Sequence, residues 1–163
     1  MPRVVEDFSA LRLAGDWYEV AGTGSWSTRR CVSDTRYSFR AKGAAVSASR
    51  ACTTAVGIER RRGLAKGDGS GTGALKLRLV WPIFAPLSAA WSDFWILAAG
   101  DGDTWLLVGD RDRARLSLLS RTVALDESAF AQAIAAARSA GYSADGLAPV
   151  AHPAGATGLS ASP

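Results

Sequence analysis

Residues 13–21 read LAGDWYEVA and place Gly15 two positions before Trp17, at the start of a short stretch with the composition of a β-strand. We predict a first strand at residues 17–21. From there to residue 121 the chain consists of short apolar or β-branched stretches separated by turn residues. This pattern predicts an all-β fold that occupies most of the chain.

Seven further strands are predicted after the first. The clearest alternation places Leu75, Leu77 and Leu79 on one face and Lys76 and Arg78 on the other, so one face is buried and the other is solvated. The predicted strands are residues 32–40, 46–54, 59–66, 75–80, 94–99, 105–108 and 115–121. Nearly all are joined as neighbouring hairpins. Eight antiparallel strands in this order favour an up-and-down barrel, because closure removes exposed edges; an open meander or a sandwich is the alternative.

One helix is predicted after the last strand. Asp126 is a good N-cap, Gly141 supplies the stop, and Leu125 with Phe130 forms a predicted hydrophobic staple. The apolar side of this helix consists of Phe130, Ala133, Ile134 and Ala137. This narrow, alanine-rich stripe predicts close packing on the outside of the sheet.

Length and composition predict one domain. The chain has 163 residues and a net charge of +4, with 21% charged residues, and we expect a domain over residues 1–150 followed by a flexible Gly- and Pro-rich tail over 151–163. No apolar run reaches the length of a membrane helix. The first residues contain no signal core, which leaves either a cytoplasmic protein or the mature part of a processed precursor.

Two short motifs resemble those of the lipocalin family. Gly15-Asp16-Trp17-Tyr18 is similar to its first signature, and Leu119-Ser120-Arg121-Thr122 is similar to its third. The resemblance implies that Gly15, Trp17 and Arg121 are structural, with the arginine stacked on the tryptophan at the barrel floor. The second signature lacks its tyrosine at residues 100–103. The third motif and the final helix resemble those of the bacterial outer-membrane lipocalins, a branch related to apolipoprotein D.

The two cysteines lie on opposite arms of one predicted hairpin. Counted from a turn at Lys42-Gly43, Cys31 and Cys52 face each other if one irregular residue intervenes, which predicts a disulfide. Two free thiols are the alternative. A disulfide favours an oxidising compartment, and together with the resemblance to the bacterial outer-membrane lipocalins it leads us to expect a periplasmic or outer-membrane-associated protein.

The family resemblance implies a carrier that holds a fatty acid, a lysophospholipid or a similar hydrophobic ligand inside the barrel. Residues 81–95 are too apolar for an ordinary solvated loop and predict a ligand mouth or a membrane-contacting lip; a loop folded back to plug the barrel is the alternative. Arg50 shares the face of Cys52, and alternation turns Arg61 away from Arg60 and Arg62, so an inward arginine would hold a headgroup near the rim. The predicted ligand-binding residues are Trp26, Tyr37, Phe39, Arg50, Arg61, Leu75, Leu77, Leu79, Trp81, Phe84, Phe94 and Ile96.

An enzyme that uses a free cysteine and a haem-carrying barrel are the alternative functions. A free cysteine, as in lipocalin-like enzymes that isomerise lipids, would permit catalysis, but no histidine partner is in view, so we expect no enzyme activity. His152 is the single histidine and would have to be the ligand of a haem-carrying barrel. We therefore expect no metal or cofactor, no nucleic-acid partner, and a monomer or weak dimer with peripheral membrane contact.

Overall fold

Eight antiparallel strands close into a barrel in the computed structural model, which describes residues 1–24, 30–43, 45–80 and 91–153. The predicted eight-stranded barrel with one outer helix is therefore confirmed. The strands are β1 (Gly15–Gly22), β2 (Ser33–Lys42), β3 (Ala45–Thr54), β4 (Gly57–Gly67), β5 (Ala74–Val80), β6 (Ser92–Ala99), β7 (Trp105–Gly109) and β8 (Leu116–Ser120). Within the described residues, no helix is long and apolar enough to cross a bilayer.

Each strand pairs with its sequence neighbour, and β1 closes the barrel between β2 and β8. The β1–β2 pairing extends only from Gly15 opposite Phe39 to Tyr18 opposite Arg36. Beyond it, the two-residue strand β9 (Ala148–Pro149) pairs with β1, and Asp34 donates its backbone N–H to the carbonyl of Ala151 at 2.8 Å. The segment after the helix therefore fills the seam between β1 and β2. Residue 151, in the predicted tail, contacts the barrel, whereas 154–163 lie outside the described residues.

Alternation along the strands creates two apolar cores, one on each side of the barrel wall. The inner core contains Trp17, Tyr37, Phe39, Val46, Leu75, Leu77, Phe94, Ile96, Leu106, Val108 and Leu119. The outer core contains Trp105, Leu107, Leu116 and Leu118 beneath the helix. One barrel wall therefore separates the interior from the surface that carries the helix.

The helix α1 (Glu127–Ser139) begins and ends where the sequence predicts. The Asp126 carboxylate accepts a hydrogen bond from the backbone N–H of Ala129 at 2.8 Å, and Gly141 has a φ of +82° after the last turn. The predicted apolar face is partly wrong. Phe130 is 39% exposed and does not complete a buried staple, because the helix lies close to the sheet. The side chains buried there are Ala129, Ala133 and Ala137.

The floor of the barrel has the predicted tryptophan–arginine stack. The Arg121 guanidinium carbon lies 3.5 Å from the ring centre of Trp17, and its Nη1 donates to the carbonyl of Ala14 at 2.9 Å. Gly15 adopts a φ of +111°, and a Cβ at this position would lie 2.6 Å from Nη1 of Arg121. Glycine is therefore needed at this position for two reasons, backbone conformation and the space that the arginine fills.

The Cys31–Cys52 disulfide joins the arms of the β2–β3 hairpin, with Cα atoms 5.5 Å apart. The hairpin turns between Lys42 and Ala45, and its register shifts between Ser33 and Arg36. The predicted Cys31–Cys52 pairing is confirmed, although the turn lies one residue later than the predicted Lys42-Gly43 tip.

Candidate ligand-binding site

A cavity of about 130 Å³ lies in the upper half of the barrel, the half away from the Trp17–Arg121 floor. Beneath this cavity, Phe39, Leu75 and Ile96 pack inside the barrel and are completely buried. The described residues that line the cavity are Glu19, Gly24, Tyr37, Arg50, Arg61, Leu77, Leu79, Ser92, Asp93, Phe94, Val108, Gly109, Arg115, Leu116 and Ser117.

The structure brings together six of the twelve predicted ligand-binding residues. Tyr37, Arg50, Arg61, Leu77, Leu79 and Phe94 line the cavity. Phe39, Leu75 and Ile96 point into the same barrel but belong to the packed layer beneath it. The predictions for Trp26, Trp81 and Phe84 concern positions outside the described residues.

One wall of the cavity carries charged side chains from β3 and β4. Arg50 lies directly opposite Arg61 in the strand register. Glu59 Oε1 accepts from Nη2 of Arg50 at 3.4 Å and from Nε of Arg61 at 3.0 Å. The exposed fractions of the Arg50, Arg61 and Glu59 side chains are 4%, 13% and 5%, so both arginines point into the barrel. Arg60 and Arg62 face solvent, as alternation predicts.

Glu19 is a second carboxyl group inside the barrel, and it was not among the predicted site residues. Its side chain accepts a hydrogen bond from the hydroxyl of Ser117. Burial raises the pKa of Glu19, although the Ser117 hydrogen bond and the charge of Arg50 oppose this shift. Alternation gave a signal for this residue, because Glu19 lies two positions after the inward-facing Trp17.

Tyr37 connects the polar and apolar parts of the cavity. Its ring stacks on Phe39 with centroids 6.3 Å apart and lies 6.0 Å from Phe94. Burial, together with the nearby Glu19 carboxyl, raises the pKa of Tyr37 to about 12. The phenol is therefore neutral near pH 7 and can donate a hydrogen bond to a polar ligand group.

Two further charged groups on the cavity lining have partners of their own. Arg115 donates from Nε to Asp110 at 3.0 Å. Asp93 forms an ion pair with Lys76 and accepts the backbone N–H of Arg111 at 3.2 Å, and these bonds lower the pKa of Asp93 against the opposing effect of burial. Each of these pairs is internally neutral, so the charge of the cavity depends mainly on Arg50, Arg61, Glu59 and Glu19.

The residues needed for the alternative functions are engaged elsewhere. Both cysteines of the chain are in the disulfide, which leaves no thiol nucleophile. The Nε2–H of His152 donates to the carbonyl of Glu19 at 2.8 Å, and its ring packs edge-on against Tyr18. His152 is not among the described residues that line the cavity. The geometry therefore supports non-covalent binding.

Comparisons with known proteins agree with this architecture. A family model described as a lipocalin-like domain matches residues 8–152. Temperature-induced lipocalin-1 of Arabidopsis thaliana is 26% identical over 147 residues, covering 85% of this chain and 76% of the plant protein. This relative comes from a plant, and the bacterial outer-membrane branch is not confirmed.

Solved structures share the fold at low sequence identity. Insecticyanin from the tobacco hornworm Manduca sexta has a TM-score of 0.73 at 14% identity, covering 93% of this chain and 85% of its own. The tryptamine complex of the amine-binding protein of Rhodnius prolixus has a TM-score of 0.67 at 15% identity, and the match covers 91% of this chain and 84% of the Rhodnius protein. The family model spans nearly the whole barrel, from the residues below its floor to the segment that fills its seam, and the chain therefore belongs to the lipocalin-like family.

Proposed function

We propose that this protein is a carrier for a small amphiphilic acid, such as a fatty acid or a lysophospholipid, held in the upper half of the barrel. The observation that carries the proposal is the pair of arginines, Arg50 and Arg61, buried inside the barrel opposite an apolar wall. Guanidinium groups bind carboxylates and phosphates well, and more strongly where water is excluded.

The charge balance of the cavity supports an acid as the ligand. Arg50 and Arg61 share the carboxylate of Glu59. Burial raises the pKa of Glu19 and so opposes a negative charge there, while Arg50 and Arg61 place two positive charges beside the carboxylate of Glu59. A ligand carboxylate or phosphate would bring this buried group of charges close to neutrality.

The apolar part of the ligand would lie across the cavity from the arginines. Leu77 and Leu79 of β5 and Phe94 of β6 form the apolar wall there. Phe39, Leu75 and Ile96 fill the barrel beneath, so an alkyl chain would not extend to the floor. Affinity should rise with chain length by about 0.8 kcal/mol per buried CH₂ and then level off once this shallow space is full.

A cationic amine is the second candidate, because Glu19 places a buried carboxyl group on the cavity lining. The structural neighbour from Rhodnius prolixus is an amine-binding protein. An amine would need ionised Glu19, which burial disfavours, and it would also face two guanidinium groups. The acid is therefore the better match to the cavity.

Calorimetry with saturated fatty acids of about eight to about eighteen carbons tests the proposal. Arg61→Gln should weaken binding about tenfold or more through loss of a charge-assisted hydrogen bond. Arg62→Gln is the matched control, because its parent side chain is exposed on the outer face of the same strand, and it should bind like the wild type.

Tryptamine is the comparison ligand in the same titrations. Tight tryptamine binding that Glu19→Gln removes, together with no response to any fatty acid, would establish the amine and overturn the acid. Equal losses in Arg61→Gln and Arg62→Gln would show that the acid does not contact the interior arginine.

We also propose an oxidising compartment, such as the periplasm, as the location of this carrier. The Cys31–Cys52 disulfide supports this, since reducing compartments keep such thiols apart. The thiol content of protein extracted from the native cell without reductant tests it: two titratable thiols would contradict the proposal.

A further inference from the structure

Three exposed aliphatic side chains lie together at the upper end of the barrel. Val32, Val56 and Ile58 are 63%, 86% and 61% exposed. Ile58 lies opposite Thr53 in the β3–β4 register, and Val32 donates its backbone N–H to the carbonyl of Thr53 at 2.8 Å. Since Val56 is in the turn before Ile58, the three residues form one apolar edge, here called the upper edge.

Two exposed arginines continue from the upper edge along the outer face of β4. Ile58, Arg60 and Arg62 alternate on that face, with Glu59 and Arg61 turned inward. At about 3.3 Å per residue, Arg60 lies about 7 Å and Arg62 about 13 Å beyond Ile58 along the strand. Among the residues that the structure describes, neither arginine forms an ion pair with a carboxylate.

We propose that the upper edge, together with Arg60 and Arg62, is a docking surface for an anionic lipid bilayer. With β4 steeply inclined to the membrane, Val56 and Ile58 reach the boundary between headgroups and acyl chains, where apolar side chains typically bury about 5–10 Å. Arg60 then lies near the level of the phosphates and Arg62 above it. This surface does not depend on which ligand the cavity holds.

The aliphatic residues decide between a bilayer and another polyanion. A nucleic acid would use the arginines but would leave Val32, Val56 and Ile58 exposed, and β4 presents no aromatic platform on which bases could stack. A bilayer uses both features at once, because it offers anionic headgroups next to an apolar interior.

Vesicle co-sedimentation of the full chain tests the proposal, with vesicles of phosphatidylcholine alone and vesicles that also contain phosphatidylglycerol. We expect binding to the mixed vesicles that decreases with added salt. The double variant R60Q/R62Q should lower the partition coefficient about 25-fold, at about fivefold for each arginine near an anionic surface. The double variant V56S/I58S should also lower it, and its matched control is Leu11→Ser, an apolar residue 50% exposed at the lower end.

The outcomes separate the alternatives. Binding of a single-stranded oligonucleotide is measured alongside. If V56S/I58S binds the mixed vesicles as well as the wild type does, while R60Q/R62Q binds neither the vesicles nor the oligonucleotide, the surface is a polyanion site and the bilayer proposal is wrong. Absence of wild-type binding to the mixed vesicles, or an equal loss in Leu11→Ser, also overturns it. Circular dichroism melts confirm that each variant is folded, and fatty-acid titration in detergent-free buffer tests the cavity separately.

Discussion

Replacing Gly15 with alanine should destabilise the barrel through a clash with one identified side chain. A Cβ at this position would lie 2.6 Å from Nη1 of Arg121, and the backbone has a φ of +111°. Arg121 cannot retain its place, because its guanidinium packs against Trp17 on one side and donates to the carbonyl of Ala14 on the other. The variant therefore has both a strained backbone and a displaced arginine.

The expected size of the effect follows from these two contributions. Backbone strain of this kind costs about 1–3 kcal/mol. Loss of the charge-assisted hydrogen bond adds about 1.5–3 kcal/mol. We expect Gly15→Ala to lower the free energy of unfolding by about 3–5 kcal/mol, and the melting temperature by roughly 10 °C for a chain of this length.

Urea denaturation of a double-mutant cycle isolates the clash. In the Arg121→Ala background, Gly15→Ala should cost only the backbone strain, so the two substitutions should couple by about 1.5 kcal/mol or more. Gly69→Ala is the control, since Gly69 has a φ of +96° but a Cβ added there would meet nothing within 4 Å. Strict additivity between Gly15→Ala and Arg121→Ala would refute the steric explanation.

Three further predictions concern other parts of the molecule. Reduction of the Cys31–Cys52 disulfide should lower stability in urea by about 3 kcal/mol, and an unchanged midpoint would contradict a native bridge. Burial raises the pKa of Glu19, so the stability from its neutral form is complete below the ordinary value of 4.5 and is lost as pH rises through the raised pKa. Glu19→Gln should therefore become progressively more stable than the wild type as urea titrations move upward from about pH 4 to pH 8; a constant difference would contradict this. Ala137→Leu should cost about 1–3 kcal/mol through overpacking, whereas Phe130→Ala, at a side chain 39% exposed, should cost less than about 1 kcal/mol in thermal melts; equal costs would show that the helix does not pack as described.

Sequence patterns predict the wall and the floor of this barrel well. Alternation identifies which side chains face inward, and the resemblance of the motifs around Trp17 and Arg121 to lipocalin signatures identifies the floor. Alternation is a local pattern and the two motifs are short, so both signals can be read without coordinates.

Depth inside the barrel is the part that sequence patterns do not predict. Leu75 and Leu77 face inward on the same strand, but Leu75 lies in the packed layer and Leu77 lines the cavity. A two-residue period determines the face of a strand, whereas depth depends on strand stagger and on how the floor is filled. The exposed Phe130 has a similar cause, because residue hydrophobicity does not reveal how closely a helix approaches a sheet.

The segment that fills the seam between β1 and β2 determines when the barrel can be completed during synthesis. Val150 donates its backbone N–H to the carbonyl of Val20, and Ala151 accepts from Asp34. These partners emerge from the ribosome long before residues 150 and 151, since domains are made from the N-terminus at about 5–20 residues per second. The upper seam therefore remains without these bonds throughout translation of the eight strands and the helix, and joining such distant segments is a slow folding step.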